Sequence, residues 1–130
     1  MAAERCILVC VTRQVSCERL IRRGAELAGQ DGLALKIVHV AAPGASLLGN
    51  PSESDALDFL FTAAKENGAD LSVLRSDSVL ETLSRIAREF KASAIVLGES
   101  RQNIKEDESI IWRLRSKLPD VQVYVIASFE

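Results

Sequence analysis

Two hydrophobic periods alternate along this chain, and that alternation restricts its fold more than any other feature of the sequence. Short apolar runs rich in β-branched residues predict five strands, at 6–11, 35–40, 71–74, 94–98 and 121–127. Several runs are apolar at nearly every position, which is typical of parallel strands covered on both faces. Stretches with a helical period separate them. The order βαβαβαβαβ predicts an α/β fold in which right-handed crossovers place helices on both faces of a parallel sheet.

Start and stop signals delimit four predicted helices. The predicted N-caps of the first three are Ser16, Ser52 and Ser78, and the predicted stops are Gly32, Gly68 and Pro119. Each predicted helix has one apolar face. In chain order, from the first helix to the fourth, these faces are Leu20, Ile21, Gly24, Leu27 and Ala28; Ala56, Leu57, Leu60, Phe61 and Ala64; Val79, Leu83, Ile86, Ala87 and Phe90; and Ile110, Ile111, Leu114 and Leu118. The one long connection, 41–52, is rich in Gly, Pro and Ser, which predicts a mobile loop or a lid.

Length and charge narrow the class of protein. The 130 residues predict a single domain, 1–130, and the net charge of −2 shows no basic excess, which argues against nucleic-acid binding. No apolar run approaches the ~20 residues of a membrane helix, and the N-terminus lacks the layout of a signal peptide. We therefore expect a cytoplasmic protein whose domain makes no membrane contact.

Cysteine and histidine offer little chemistry in this sequence. The three cysteines, Cys6, Cys10 and Cys17, are better explained as small buried fillers than as a zinc or redox site. The only histidine, His39, lies within a predicted strand and is interpreted as a satisfied core residue rather than a catalytic base. No catalytic residue and no metal site is predicted.

Motifs of common nucleotide enzymes are missing as well. The sequence contains no GxxxxGK[ST], no GxGxxG after the first strand and no GxSxG. A binding site remains the better hypothesis, because open parallel sheets hold ligands beyond the carboxyl ends of their strands, where the strand order reverses. The loops after strands one and four, 11–16 and 98–108, are the segments expected to meet there.

Four segments carry a resemblance to a known family. "ILVCVT" (7–12), "LIRRGAELA" (20–28), "IVHV" (37–40) and "AREFKASAIVLGES" (87–100) resemble the universal stress proteins, in order and spacing over essentially the whole chain. The segment 17–28, "CERLIRRGAELA", is most similar to the universal stress modules of KdpD-type potassium-sensing histidine kinases. The resemblance implies a three-layer, Rossmann-like fold with a five-stranded parallel sheet of order 3-2-1-4-5.

The resemblance also implies a nucleotide site, from which this chain departs. ATP-binding members carry an aspartate at the end of strand one and the pattern G-x-x-G-x₉-G-[ST] after strand four. Thr12 stands at the first position, and Gly98 matches the first glycine. The second glycine falls on Arg101, and the third with its Ser/Thr falls on Ile111 and Trp112. The residues expected to form the remaining crevice are Thr12, Arg13, Val40, Gly98, Ser100 and Arg101.

Charge in the loop after strand four adds to that departure. Arg101 and Lys105 stand against four carboxylates, those of Glu99, Glu106, Asp107 and Glu108. Acidic residues in the first turn stabilise a helix by about 0.3–1 kcal/mol each through its dipole, and here they would repel a phosphate. "FTAAK" (61–65) resembles an F-T-A-x-Y pattern of KdpD-type modules that bind a cyclic dinucleotide, but Lys65 replaces the tyrosine. Helical spacing favours core positions for Phe61 and Ala64.

Two functions remain open at this stage. The first is a non-catalytic regulatory module that acts through dimerisation or a protein partner; the resemblance implies a homodimer through the last strand, at Val121, Val123 and Val125. An edge strand covered by its own helix is the alternative interpretation of that segment. The second function is a sensor of ATP, AMP or cyclic di-AMP. The sequence leaves open whether the chain stands alone or is the input domain of a longer kinase.

Overall fold

A computed structural model describes residues 5–98 and 104–126, with the side chains of 104–109 outside that description. Its elements are β1 Cys6–Val11, α1 Gln14–Asp31, β2 Ala34–Ala41, α2 Glu53–Glu66, β3 Asp70–Arg75, α3 Val79–Glu89, β4 Ala92–Gly98, α4 Ile104–Lys117 and β5 Gln122–Ile126. All strand pairs are parallel, and the sheet order is β3-β2-β1-β4-β5. The predicted α/β fold and its strand order are therefore confirmed. No described helix has the length and apolarity that crossing a bilayer requires.

Two apolar cores lie on opposite faces of the sheet. Alternate residues of the central strands separate them, so Ile7, Val9 and Val11 of β1 face α1 and α2, while Cys6, Leu8 and Cys10 face α3 and α4. All six side chains are buried. This burial on both faces explains why the strand reads as a continuous apolar run.

The helix ends follow the sequence signals with one exception. Ser52 Oγ and Ser78 Oγ accept hydrogen bonds from the backbone N–H groups of Asp55 and Glu81, as predicted. The N-cap predicted for α1 is wrong, because that helix begins at Gln14 and Arg13 occupies the cap position. Ser16 lies inside the first turn, where its hydroxyl donates to the carbonyl of Arg13 at 3.1 Å.

The exposure of Phe61 contradicts part of the core face predicted for α2. Ala56, Leu60 and Ala64 are buried, but the Phe61 side chain is 61% exposed. The buried residues recur every four positions, which defines a narrow stripe, and Phe61 lies one position outside it. The core interpretation of Phe61 is therefore wrong, whereas that of Ala64 is confirmed.

The connection between β2 and α2, expected from its composition to be a mobile loop or a lid, is anchored to the body of the domain at two points, although residues 42–46 are exposed. Leu47 and Leu48, in a short 3₁₀ turn at Leu47–Gly49, are 2% and 3% exposed. Arg75 at the end of β3 holds the first half of the connection by donating to the carbonyls of Ala42 (3.0 Å) and Ala45 (2.9 Å).

Candidate functional site

The carboxyl ends of the strands meet at one edge of the sheet, and β1 lies at its centre between β2 and β4. Thr12 and Arg13 follow β1, while Gly98 is the last residue of β4. The chain leaves β1 toward β2 on one side and returns to β4 on the other. This reversal of strand order is the position at which open α/β sheets hold ligands.

A small cavity opens on the α3 and α4 side of this edge. It encloses about 70 Å³ and is lined by Cys10, Thr12, Val79, Leu83, Leu97, Gly98, Ile110 and Ile111. Thr12 contributes a hydroxyl and Cys10 a thiol, while the other lining side chains are apolar. The structure thus brings together Thr12 and Gly98, two of the residues predicted for the crevice.

Gly98 has a packing role in addition to its position in the crevice. A Cβ built at Gly98 would lie 3.3 Å from Cδ1 of Leu20, on the α1 side of the sheet. Such a contact is tighter than ordinary van der Waals packing and would displace Leu20. The glycine at this position is therefore accounted for by the close approach of α1, without a phosphate.

A second groove lies beside the N-terminus of α1. It measures about 380 Å³ and is lined by Arg13, Gln14, Val15, Leu48, Gly49 and Asn50. Asn50 Nδ2 donates to Gln14 Oε1 at 3.0 Å, which joins the two walls. Arg13 opens into this groove, so Thr12 and Arg13 line different cavities.

His39 fixes one wall of that groove from beneath. His39 is 3% exposed; its Nε2 accepts the backbone N–H of Leu48 at 3.0 Å, and its Nδ1 lies 2.8 Å from the carbonyl oxygen of Val11. Because Nε2 is the acceptor, the proton resides on Nδ1 and the imidazole is neutral. Burial lowers the pKa of His39, against the opposing effect of the Val11 bond. His39 is a satisfied core residue, as predicted.

The two cavities offer few charged groups. Arg13 is the one charged residue among their described lining residues, which include no carboxylate and no histidine. Burial raises the pKa of the Cys10 thiol to about 12, so it remains protonated at neutral pH. All three cysteines are buried and unpaired, in agreement with their predicted role as core fillers.

The other predicted site residues lie elsewhere. Val40 is buried in the core beneath α3 and lines neither cavity. Ser100 and Arg101 lie outside the described residues, as do Glu99 and the side chains of Glu106, Asp107 and Glu108. Gln14 and Val15 belong to the loop 11–16 that was expected at the site, but sequence reasoning missed the opposite wall, Leu48, Gly49 and Asn50, because contacts distant in sequence bring the two walls together.

The predicted dimer edge is the outer strand of the sheet. β5 pairs with β4 along one side, and it is the last strand in the sheet order. Val121 and Val123 are half-buried against the core beneath α4, whereas Tyr124 and Ile126 pack toward the α1 side. Val125 is half-buried at the carboxyl end of the strand.

A parallel five-stranded sheet between two helix layers, with a crevice at the reversal of strand order, defines a Rossmann-like α/β protein. The model of the universal stress protein family matches residues 5–119. This chain belongs to the universal stress protein family.

Two sensor proteins are similar to this chain over most of its length. A putative sensor protein KdpD from Synechocystis sp. is 30% identical over 125 residues, which cover 94% of this chain and 33% of that protein. The sensor protein KdpD of Escherichia coli is 28% identical over 122 residues, covering 93% of this chain and 14% of that protein. The chain therefore spans about a third and about a seventh of these two relatives.

Solved structures share the fold at lower identity. A universal stress family protein from Burkholderia pseudomallei is 23% identical, with a TM-score of 0.67 and coverage of 96% of this chain and 97% of that one. A universal stress protein in complex with cAMP is 19% identical, with a TM-score of 0.67 and coverage of 98% and 100%. One from Archaeoglobus fulgidus in complex with dAMP is 24% identical, with a TM-score of 0.60 and coverage of 97% and 98%.

Proposed function

We propose that this chain is a single-domain, non-catalytic regulatory module of the cytoplasm that acts by docking to a protein partner or to a second copy of itself. In this proposal the ATP phosphate loop of the family is degenerate. Similarity to KdpD sensor proteins over more than nine-tenths of the chain supports a role in signal transduction. The chain matches only part of each relative, so the kinase activity of a longer protein is no part of the proposal.

The size of the crevice carries this proposal. The cavity that joins Thr12 to Gly98 measures about 70 Å³. Small-molecule sites in proteins span roughly 300–1,000 Å³. The glycines that would admit phosphate oxygens to the backbone are replaced at the positions of Arg101 and Ile111. This cavity therefore offers a nucleotide neither enough volume nor the backbone contacts that its phosphates need.

The lack of acid–base groups supports a non-catalytic role. A general base must lie within hydrogen-bond reach of the proton that it takes. The described residues that line the two cavities include neither a carboxylate nor a histidine, and the thiol of Cys10 is protonated. His39, the only histidine of the chain, has both ring nitrogens engaged by the backbone.

The second candidate function is an adenine-nucleotide or cyclic-dinucleotide sensor. Its support is that two proteins of the same fold were solved with cAMP and with dAMP. The groove of about 380 Å³ beside Arg13 falls within the range of small-molecule sites. In this alternative, Thr12, Arg13, Gly98, Ser100 and Arg101 contact the ligand.

Thermal unfolding with nucleotides separates the two functions. The chain is titrated with ATP, AMP and cyclic di-AMP, with and without Mg²⁺. A ligand at 100 times its Kd adds about 2.7 kcal/mol of stability, which raises the melting temperature of a domain of this size by roughly 10 °C. We expect no shift with any of the three.

Variants make the opposite result interpretable. Arg101→Ala removes the cation that the sequence assigns to the crevice, and Arg22→Ala removes one from α1 as a matched control. A saturable shift that Arg101→Ala abolishes and Arg22→Ala preserves establishes the sensor and refutes the docking module.

A further inference from the structure

A groove at the opposite edge of the sheet belongs to neither cavity described above. It lies where the α3–β4 and α4–β5 turns meet the start of β1, and it measures about 480 Å³. Its lining residues are Arg5, Ala87, Arg88, Lys91, Ala92, Lys117, Leu118, Pro119, Asp120 and Val121. We call it the amino-edge groove.

The amino-edge groove is positively charged in an acidic protein. Its lining holds four cations and one carboxylate, a net charge of plus three, whereas the whole chain carries −2. The C-termini of α3 and α4 point to this edge and contribute about half a negative charge each. A balance of about +1 remains after both helix dipoles and the Glu81 carboxylate paired with Lys117 are counted.

Two of the four cations have no partner within the described part of the chain. Arg5 Nε donates to Ser93 Oγ at 2.8 Å, and Lys117 Nζ forms an ion pair with Glu81 at 2.9 Å. The side chains of Arg88 and Lys91 make no hydrogen bond or ion pair with the described residues, and both residues are exposed. These two side chains are free to receive an anionic group.

The backbone of Lys91 gives an independent reason to assign this residue a role. Lys91 has a φ of 54° in the turn after α3, where residues with a Cβ are disfavoured. The turns after α1 and α2 fill the same left-handed conformation with Gly32 (φ 65°) and Gly68 (φ 61°). At the same position in the turn after α3, the chain has Lys91 beside the groove instead of the glycine that a left-handed conformation favours.

We propose that the amino-edge groove binds an acidic peptide segment of a partner protein. Carboxylates of the peptide pair with Arg88 and Lys91, and an apolar side chain between them contacts the floor at Leu118, Pro119 and Val121. A free phosphate would leave that apolar floor unused, which is why we assign a peptide. The inference rests on the proposed docking function and gives it a surface.

Fluorescence anisotropy of a labelled peptide, Glu-Glu-Leu-Glu-Glu, tests the groove on the full chain. We expect saturable binding that Arg88→Glu with Lys91→Glu weakens by about tenfold or more. The matched control is Arg22→Glu with Lys65→Glu, which makes the same charge change at two exposed residues of α1 and α2. Absence of saturable binding, or equal losses in both double variants, overturns the proposal.

Lys91→Gly separates ligand binding from a structural role of the lysine. Glycine removes the strain of the left-handed conformation, so the melting temperature rises, while peptide affinity falls several-fold because one cation is lost. A lysine that only stabilises the end of α3 would leave peptide affinity unchanged on substitution. That result, or a melting temperature and an affinity that fall together, contradicts the assignment.

Two further probes establish the class of ligand. A peptide with serine in place of leucine is expected to bind more weakly, because it leaves the apolar floor uncovered. Inorganic tripolyphosphate that binds more tightly than the peptide shows a phosphate site and overturns the proposal. The nucleotide titration is independent: a nucleotide shift refutes the docking module, whereas peptide failure alone refutes only this groove.

Discussion

The Nε2 atom of His39 accepts the backbone N–H of Leu48 at 3.0 Å, and this hydrogen bond ties β2 to the turn that lines the groove beside α1. Leu48 needs such an anchor, because its φ of 56° lies in the left-handed region that a leucine rarely adopts. The opposite ring nitrogen donates to the carbonyl of Val11, the last residue of β1. One neutral imidazole therefore holds two segments of the carboxyl edge in place.

Stability is expected to fall as the pH is lowered from about 6.5. Burial, together with the positive charge of Arg75, lowers the pKa of folded His39 below its ordinary value of 6.5. The unfolded chain then binds the proton first, so stability is complete above about pH 6.5 and declines toward the folded pKa by at most about 1.4 kcal/mol per pH unit. Urea unfolding between pH 5.0 and 7.5 measures the slope.

His39→Gln provides the control for that slope. A glutamine amide has both a donor and an acceptor but no proton to gain, so the slope between pH 5.0 and 6.5 should flatten. Because His39 is the only histidine, no other side chain of the chain ordinarily titrates in this interval. A slope that is equally steep in the variant would assign the pH dependence to another group.

Gly24→Ala is expected to destabilise the protein by about 1–3 kcal/mol, although alanine favours a helix. A Cβ at Gly24 would overlap Cγ2 of Val9, a fully buried residue at the centre of β1. Gly29→Ala in the same helix is the matched control, since a Cβ there meets no atom within 4 Å. That variant should gain about 0.5–1 kcal/mol, and equal effects of the two in chemical denaturation would contradict this packing argument.

The order and type of the elements followed from the sequence because their signals are local. Short apolar runs rich in β-branched residues predicted the strands, and Gly32, which has a left-handed φ of 65°, marked the end of α1. Reliance on local signals also explains the wrong N-cap predicted for α1. Ser16 has the composition of a cap, yet α1 begins two residues earlier, and nothing near Ser16 in sequence distinguishes a cap from a first-turn serine.

The candidate site was less predictable because long-range contacts build it. Thr12 was placed beside Gly98 correctly, since sheet order alone brings the ends of β1 and β4 together. The burial of Leu48 could not be inferred, because it depends on His39, nine positions earlier, and on the packing of the whole connection. The composition of this connection predicts a loop but does not predict which residues the loop contacts.

Arg75→Ala should loosen the connection between β2 and α2. The guanidinium donates to the carbonyls of Ala42 and Ala45 and pairs with Glu53 at 3.2 Å. We expect a loss of about 1–2 kcal/mol, mainly from the two carbonyl bonds. Glu53→Gln removes only the exposed ion pair and should cost less than about 0.5 kcal/mol. Limited proteolysis at 42–52 reports the loosening, and similar effects of both variants would show that the carbonyl bonds contribute little.

The outer edge of β5 is expected to form a homodimer. Among residues 5–98 and 104–126, β5 pairs only with β4, and an edge strand of a sheet tends to be protected or paired. Val125→Lys places a charge at the carboxyl end of that edge and should raise the dimer dissociation constant by about tenfold or more, as measured by sedimentation. Val15→Lys is the control, because Val15 is 89% exposed at the start of α1 and is not part of the β5 edge.

The sedimentation result decides between two explanations of the β5 edge: it pairs with a second copy of the chain, or water and α4 cover it. Val121 and Val123 are half-buried beneath α4, so their side chains have intramolecular partners. Arg115 of α4 also donates to the backbone carbonyl of Val123 at 3.2 Å, so the reason to associate is limited to the backbone groups of the edge that α4 does not reach. A chain that sediments as a monomer at high concentration would show that water and the covering helix suffice for this edge. A dimer that tolerates Val125→Lys but not Val15→Lys would move the interface to the N-terminus of α1 and refute the edge assignment.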